Sequence, residues 1–264
     1  MVLLLAVGLM NIGQAVLVDD FESYSTGNLG SVASPPWTSV GNPASSNVLI
    51  GQAEGNQYFA YFAPSSNVLR GGYRDIPAVD ESSTAATLFL RFYTETNSFN
   101  NAFGLSSSAA PGAFGDMNVM MRVNAGLFDV RDGSGFTPGV AIQSGVWYNV
   151  WAVINQSTDR FDVYLTSGSA GAADADKVAS NAAFRVGTAN PLVSFVALVQ
   201  GYTGAPSENK VRLDDIYLFD GVTENKVRLD DIYLFDGVML SNPVPEPAAM
   251  LILGVGSLFL RKRK

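Results

Sequence analysis

The sequence predicts an all-β protein, an antiparallel sandwich or barrel built from many short strands. Three observations predict it. Apolar and polar residues alternate with a period of two through much of the chain. Clusters of Gly, Pro, Asn, Asp and Ser interrupt that alternation at short intervals. No long segment repeats with a period of 3.6. Hydrophobic residues make up 47% of the 264, enough for a core, whereas charged residues make up 15%, low for a cytosolic protein.

Taken in order, residues 1–10 are an apolar run, and Gly13-Gln14-Ala15 places small residues before Val16. Residues 1–15 therefore read as an export signal, too short to cross a bilayer as a stable helix. No Lys or Arg precedes the run, so the signal is expected to be truncated, with a start upstream of Met1. The alternative is a buried first strand or helix. Over residues 87–95, Leu88, Leu90 and Phe92 point one way, and Thr87, Arg91 and Glu95 the other. Over 160–165, Phe161, Val163 and Leu165 oppose Arg160 and Asp162. Residues 192–199 are almost wholly apolar and are expected to form a central strand covered on both faces. Further strands are expected at 46–51, 57–63, 67–75, 102–107, 117–124 and 127–131. Turns are expected at Gly71-Gly72, Pro111-Gly112, Asn124-Ala125-Gly126, Asp132-Gly133 and residues 155–159. Residues 168–182, rich in Gly, Ala, Ser and Asp, read as a loop with one helical turn.

Residues 208–222 recur without change at 224–238, a period of 16. Two identical copies suggest a fresh tandem duplication, since solenoid repeats diverge and need about three or more copies. Only one copy can occupy a given strand position. Within each copy the apolar phase slips, with Val211 and Leu213 on one parity and Ile216 and Leu218 on the other. A β-bulge at Asp214-Asp215 reconciles them.

The C-terminus has three parts. Pro245-Glu246-Pro247 is rigid and non-helical, residues 248–260 are apolar without a charge, and Arg261, Lys262, Arg263 and Lys264 close the chain. Thirteen residues span only about 20 Å as a helix, against a hydrocarbon core of about 30 Å. The basic end is expected to stay cytoplasmic, which places the body outside. This order resembles the PEP-CTERM sorting signal of Gram-negative bacteria. The resemblance implies processing by an exosortase near Pro245-Glu246-Pro247, transient membrane insertion of a short hydrophobic helix, and a cell-surface or extracellular-matrix destination. An ordinary membrane anchor is the alternative.

Three segments of the body, residues 16–240, resemble the concanavalin A-like or laminin-G-like jelly roll. They are Val18-Asp19-Asp20-Phe21-Glu22, then Gly145-Val146-Trp147-Tyr148-Asn149-Val150 with Phe161-Asp162-Val163-Tyr164-Leu165, then Val211-Arg212-Leu213-Asp214-Asp215-Ile216-Tyr217-Leu218. The resemblance implies an antiparallel jelly-roll β-sandwich in which the first and last strands lie together.

Composition excludes several chemistries. The chain has no Cys and no His, which removes disulfides, thiolate chemistry, His-ligated zinc and any His general base. Without the tail from Val244, 12 basic and 23 acidic residues remain, a net −11. Such a body repels phosphate backbones, so nucleic acid is not an expected partner.

Two groups of residues are candidate sites. Trp147, Asn149, Trp151 and Asn155 share one face of a strand, where rings can stack on a sugar and amides can bond its hydroxyls. Trp37, Tyr58, Tyr61 and Tyr73 are possible additions, and the alternative is that both tryptophans are core. Asp19, Asp20 and Glu22 converge with Asp214 and Asp215 if the first and last strands pair. Related jelly rolls hold a structural Ca²⁺ near such strands, and oxygen ligands suit that ion; solvent-facing carboxylates are the alternative. Asp230 and Asp231 repeat the second pair. No Glu-x-Asp-x-x-Glu strand is present, and no catalytic residue is assigned. The expected function is structural or adhesive, non-enzymatic, with polysaccharide as a candidate ligand. The competing readings are a carboxylate-based glycan-active enzyme and a membrane-anchored protein-binding module.

Overall fold

The computed structural model describes residues 15–83, 85–95, 100–168, 171–204, 210–220, 227–229 and 232–234. The expected export signal at 1–14, residues 230 and 231, and the sorting tail with its short helix at 241–264 lie outside the described residues.

In chain order the strands begin with β1 Ala15–Asp19 and β2 Gly27–Asn28, followed by the single-turn helix α1 Leu29–Val32. Then come β3 Thr38–Val40, β4 Val48–Ala53, β5 Asn56–Phe62, β6 Leu69–Val79, β7 Ala86–Thr94 and β8 Asn101–Ser106. After these come β9 Val119–Asn124, β10 Leu127–Asp132, β11 Gly135–Phe136, β12 Val140–Ala141, β13 Trp147–Asn155 and β14 Arg160–Ser167. The body ends with β15 Lys177–Ala183, β16 Leu192–Gln200 and β17 Lys210–Asp220, and a hairpin of β18 Val227–Leu229 and β19 Ile232–Leu234 follows. The first sheet runs β15-β14-β13-β7-β17-β5-β4-β2, with β1 also on β17. The second runs β11-β10-β9-β8-β16-β6-β3, with β12 on β10. The fold is thus an antiparallel two-sheet jelly-roll sandwich.

Period-two alternation places the core. Leu88, Leu90 and Phe92 of β7 face inward with Phe161, Val163 and Leu165 of β14, and meet Phe103, Phe128 and Phe195 from the second sheet. Phe92 stacks on Phe128 at 5.5 Å between centroids. β16 lies between β6 and β8 and is covered on both faces: Phe195, Ala197 and Val199 join the central core, while Val196 and Leu198 pack in a separate outer cluster with Met120 and Ala102. Gly71 and Gly72, expected to turn, instead lie inside β6 opposite Leu198 and Ala197, where a Cβ on Gly71 would meet the Ala197 carbonyl, whereas the turn at Asn124-Ala125-Gly126 forms as expected. Ala125 and Gly126 have φ of +52° and +79° between Asn124 and Leu127, which pair, the conformation that matches strand twist in a two-residue hairpin.

The closing strand explains the slipped phase. Asp214 of β17 sits opposite Arg91, yet Tyr217 sits opposite Phe89. Three steps on β17 thus match two on β7, and Asp215 takes the left-handed conformation with φ +50°. The bulge lets Val211, Leu213, Ile216 and Leu218 all enter the central core. β5 pairs with Lys210–Leu213 of one edge, and β1 pairs with Ile216–Phe219 of the same edge. The first and last body strands therefore meet as expected, and the bulge falls where one neighbour gives way to the other.

The first copy of the duplicated segment provides this central strand. In the second copy β18 pairs with β19, Leu229 opposite Ile232. Those positions correspond to Leu213 and Ile216, which flank the bulge. Residues 177–183, expected to be loop, form edge strand β15 after a 3₁₀ turn at Asp174–Asp176. The stretch lacks β-branched alternation, but Ala179 and Ala182 are small enough to bury against β14, so pairing overrides propensity.

Candidate functional site

The outward face of the first sheet carries the β13 candidates, and the carboxylate candidates lie at the end of β1, just after it, and at the bulge of β17. On β13, Val150, Ala152 and Ile154 enter the core, which turns Trp147, Asn149, Trp151, Val153 and Asn155 outward. Trp147 lies opposite Tyr93 of β7, which lies opposite Arg212 of β17. Asn149 lies opposite Arg91, which lies opposite Asp214. Trp151 lies between Phe89 and Tyr164.

These four residues do not make one platform. Trp151 is wholly buried, packed with Phe89, Tyr164 and Phe219, so it presents no ring face. Asn149 is buried and donates to the Gly168 carbonyl at 2.5 Å. Trp147 is half-buried, 5.4 Å from the Tyr93 ring and under the Arg91 guanidinium at 5.0 Å. Arg212 is held between the Tyr58 and Tyr93 rings at 4.5 and 4.6 Å and pairs with Glu95. Of the added aromatics, Trp37 and Tyr61 are buried in the core, Tyr58 is buried, and Tyr73 is half-buried on the second sheet. Trp147 and Asn155 stand eight residues apart, roughly 27 Å along a strand.

Asn155 lines a cleft of about 230 Å³ with Val153, Thr158, Arg160, Phe161, Asp162 and Asn181. The hairpin between β13 and β14 and the edge strand β15 form its walls. Asp162 accepts from Lys177 Nζ at 2.8 Å and from the Asn181 amide at 2.6 Å. Arg160 donates to the Asn181 carbonyl at 3.3 Å. Asn155 Oδ1 accepts from the Ser157 hydroxyl at 2.7 Å, and its Nδ2 has no partner among the described residues. The cleft is smaller than the roughly 300–1,000 Å³ typical of drug-sized ligand sites. Sequence reading missed Arg160 and Asn181. The polar turn at 155–159 was a signal for Arg160, but Asn181 fell in the stretch read as loop.

The carboxylates sort into two sets. Asp19 is buried and serves the fold: it accepts from the Phe21 amide at 2.8 Å, the Tyr24 hydroxyl at 2.8 Å and the Trp37 indole at 2.6 Å, and it pairs with Arg74. Asp214 and Asp215 form the bulge of β17, where β5 gives way to β1 on one edge and Arg91 of β7 lies on the other. Burial, and then the adjacent Asp215 charge, push Asp214 up to about 8. Burial also raises Asp215, against the opposing pull of Arg91 at 3.0 Å. Glu22 adds to the field on Asp214 and Asp20 to that on Asp215. Glu22 accepts from the Gln57 amide at 2.8 Å, and Asp20 from the Glu22 amide at 3.2 Å. Asp20, Glu22, Asp214 and Asp215 are thus brought into one field, and Asp19 is engaged apart from them by protein donors. Among the described residues no group of three or more acidic side chains is arranged to hold a metal ion.

No curated protein sequence matches the chain. Among solved structures, the GH131 β-glucanase catalytic domain from Podospora anserina is similar with a TM-score of 0.54 at 10% identity, over 80% of this chain and 98% of that one. The protein of unknown function SO2946 from Shewanella oneidensis MR-1 gives a TM-score of 0.43 at 16% identity, over 77% and 81%. Arcelin-5, a lectin-like defense protein from Phaseolus vulgaris, gives 0.48 at 12%, over 79% and 97%. At such identities the likeness concerns the fold alone. Residues 243–264 match the PEP-CTERM protein-sorting motif, which marks an exported protein sorted to the cell envelope of Gram-negative bacteria.

Proposed function

We propose that this is a non-enzymatic, exosortase-processed protein of the cell surface or extracellular matrix, and that its sandwich binds carbohydrate at the cleft beside Asn155. One observation carries the reading. The cleft sets the outward Val153 side chain among amide, carboxylate and guanidinium groups, and the Asn155 Nδ2 donors have no partner among the described residues. A sugar ring presents the complementary surface, C–H faces ringed by hydroxyls. The half-buried Trp147 and Tyr93 rings supply a further contact for a longer chain. Screening the purified protein against a glycan array, with parallel assay for released reducing ends, tests this. Binding without product is expected, weakened about tenfold in Asn155→Ala, the size of one or two lost hydrogen bonds. An array without signal, or an Asn155→Ala variant that binds as tightly, overturns it.

A second reading rests on Asp214 and Asp215. Adjacent carboxyls, one holding its proton near neutrality and one ion-paired, are the raw material of a glycan-cleaving acid and base. Product release that disappears in Asp214→Asn is its signature. A structural Ca²⁺ is a proposal for the same four carboxylates, Asp20, Glu22, Asp214 and Asp215. It has to displace the Asp214 proton and loosen Arg91 from Asp215, so binding tightens with pH. A Ca²⁺-dependent rise in melting temperature at pH 8, reversed by chelation, supports it, and no shift removes the ion from the reading.

A further inference from the structure

The outer face of the second sheet carries a cationic cluster that the carbohydrate cleft does not use. Arg122 of β9 and Arg131 of β10 gather at the half-buried ring of Phe136 on β11, and Arg185, which follows β15, reaches Met120 of β9 on the same face. The Arg122 guanidinium carbon lies 3.6 Å from that ring's centroid and the Arg131 carbon 4.8 Å. Arg122 is neutralised by Asp129 through two parallel bonds of 2.9 and 2.8 Å. Arg131 and Arg185 are not. Arg131 donates through Nε to the Gly133 carbonyl at 2.9 Å, and Arg185 reaches the Met120 sulfur at 3.5 Å. Among the described residues neither meets a carboxylate.

This is an unusual arrangement for the chain. The body carries a net −11, so carboxylates are plentiful, yet two guanidinium groups stand together without one. Partial burial, then the charges of Arg185 and Arg122, push Arg131 below the ordinary arginine range, although it stays cationic at neutral pH. Like charges held together in a partly desolvated place favour an anion between them. Guanidinium forks bind a carboxylate or sulfate oxygen pair through parallel N–H bonds. Phe136 and the half-buried Phe114 on the same face offer ring surface beside the charge. A nucleic acid is disfavoured by the acidic body, because it needs many basic contacts along a backbone.

We propose that Arg131 and Arg185, beside Phe136, form a second ligand site that takes the oxyanion of an acidic polysaccharide, a uronate carboxylate or a sulfate ester. The site lies on the opposite sheet from the Asn155 cleft. It rests on the carbohydrate reading only for the polymeric nature of its ligand.

The test titrates the purified protein with polygalacturonate, with dextran sulfate and with neutral dextran. It compares the wild type, the Arg131→Gln/Arg185→Gln double variant, Arg185→Glu, and Asn155→Ala. The wild type is expected to bind at least one acidic polymer, and which one separates carboxylate from sulfate. Binding is expected to fall about tenfold for each arginine removed, the size of a charge-assisted hydrogen bond. It is also expected to weaken between about 50 and 500 mM salt and to stay unchanged in Asn155→Ala. Arg185→Glu, a single change at a partly exposed position, must lose binding even if the double variant folds poorly. Failure of both acidic polymers to bind, or full binding by Arg185→Glu, overturns the inference. If the array shows neutral glycans bound through Asn155 while acidic polymers are not, this inference falls and the cleft stands. Loss of acidic binding in the arginine variants, with Asn155→Ala silent on every glycan, gives the reverse.

Discussion

At the residue scale, two aspartates of similar appearance in the sequence do different things. Asp214 holds its proton to about pH 8 in the folded chain because it is buried beside Asp215, whereas an unfolded Asp ionises near pH 4. Between those values the folded state binds more protons, so the contribution of Asp214 to stability is full below about pH 4 and is lost as pH rises to about 8. Melting measured from pH 4 to pH 8 is expected to show this fall, and Asp214→Asn, which keeps the acceptor for the Asp215 amide, is expected to flatten it. An unchanged pH slope in the variant contradicts the assignment. Asp19 instead ties three elements together, accepting from Tyr24 and Trp37 and pairing with Arg74. Asp19→Ala strands a half-buried guanidinium and a buried indole N–H, and a loss of about 2–4 kcal/mol is expected in urea unfolding. Neither role was legible in the sequence. Arg74 is 55 residues from Asp19, and a pair of acidic letters says nothing of what folds over them.

At the element scale, alternation reported which way each side chain points but not what covers it. For β7, β14 and β16 direction was enough, because Leu88, Phe161 and Phe195 could face only a core. For β13 it was not: Trp147 and Trp151 share a face, yet one is half-exposed and the other has no exposed surface. Cover over a sheet comes from neighbouring strands and loops, here Phe89, Tyr164, Phe219 and Ala172, which a local period cannot see. Trp151→Ala is therefore expected to cost about 3–5 kcal/mol through the cavity it leaves, while Trp147→Ala costs far less; chemical unfolding distinguishes them. The bulge in β17 was legible because the slip of phase is itself local. Which copy of the duplicated segment closes the sheet was not, since the two are identical. The first copy pairs with β1, β5 and β7, whereas β18 and β19 pair with each other among the described residues. Removing residues 223–238 gives the same chain as removing 208–223, and it retains every pairing of β17. Its melting temperature is expected to stay within about 2 °C of the wild type, since 1 kcal/mol shifts a domain of this size by roughly 2–4 °C. A larger drop means that the second copy supports the sandwich.

At the scale of the whole molecule, charge and destination are linked through the tail. The four C-terminal basic residues sit on a chain whose body is otherwise acidic, so cutting near Pro245-Glu246-Pro247 takes the net charge from −8 to about −11. A released body of that charge stays soluble by self-repulsion and keeps away from anionic surfaces except where guanidinium groups locally reverse the field, as around Arg131 and Arg185. The uncut chain has the opposite character at its end: 13 apolar residues stopped by a basic cluster, fewer than a helix needs to cross the bilayer core. We propose that this end seats the protein at the membrane only until an exosortase cuts beside Pro245-Glu246-Pro247. Mass spectrometry of the protein from its native host is therefore expected to find a chain ending close to Pro247, without Arg261, Lys262, Arg263 or Lys264. Replacing Pro245, Glu246 and Pro247 with Ala is expected to leave the full-length chain in the membrane fraction. A native protein that still carries Lys264 would mean that the tail is a lasting anchor, and that the body acts only at the membrane surface.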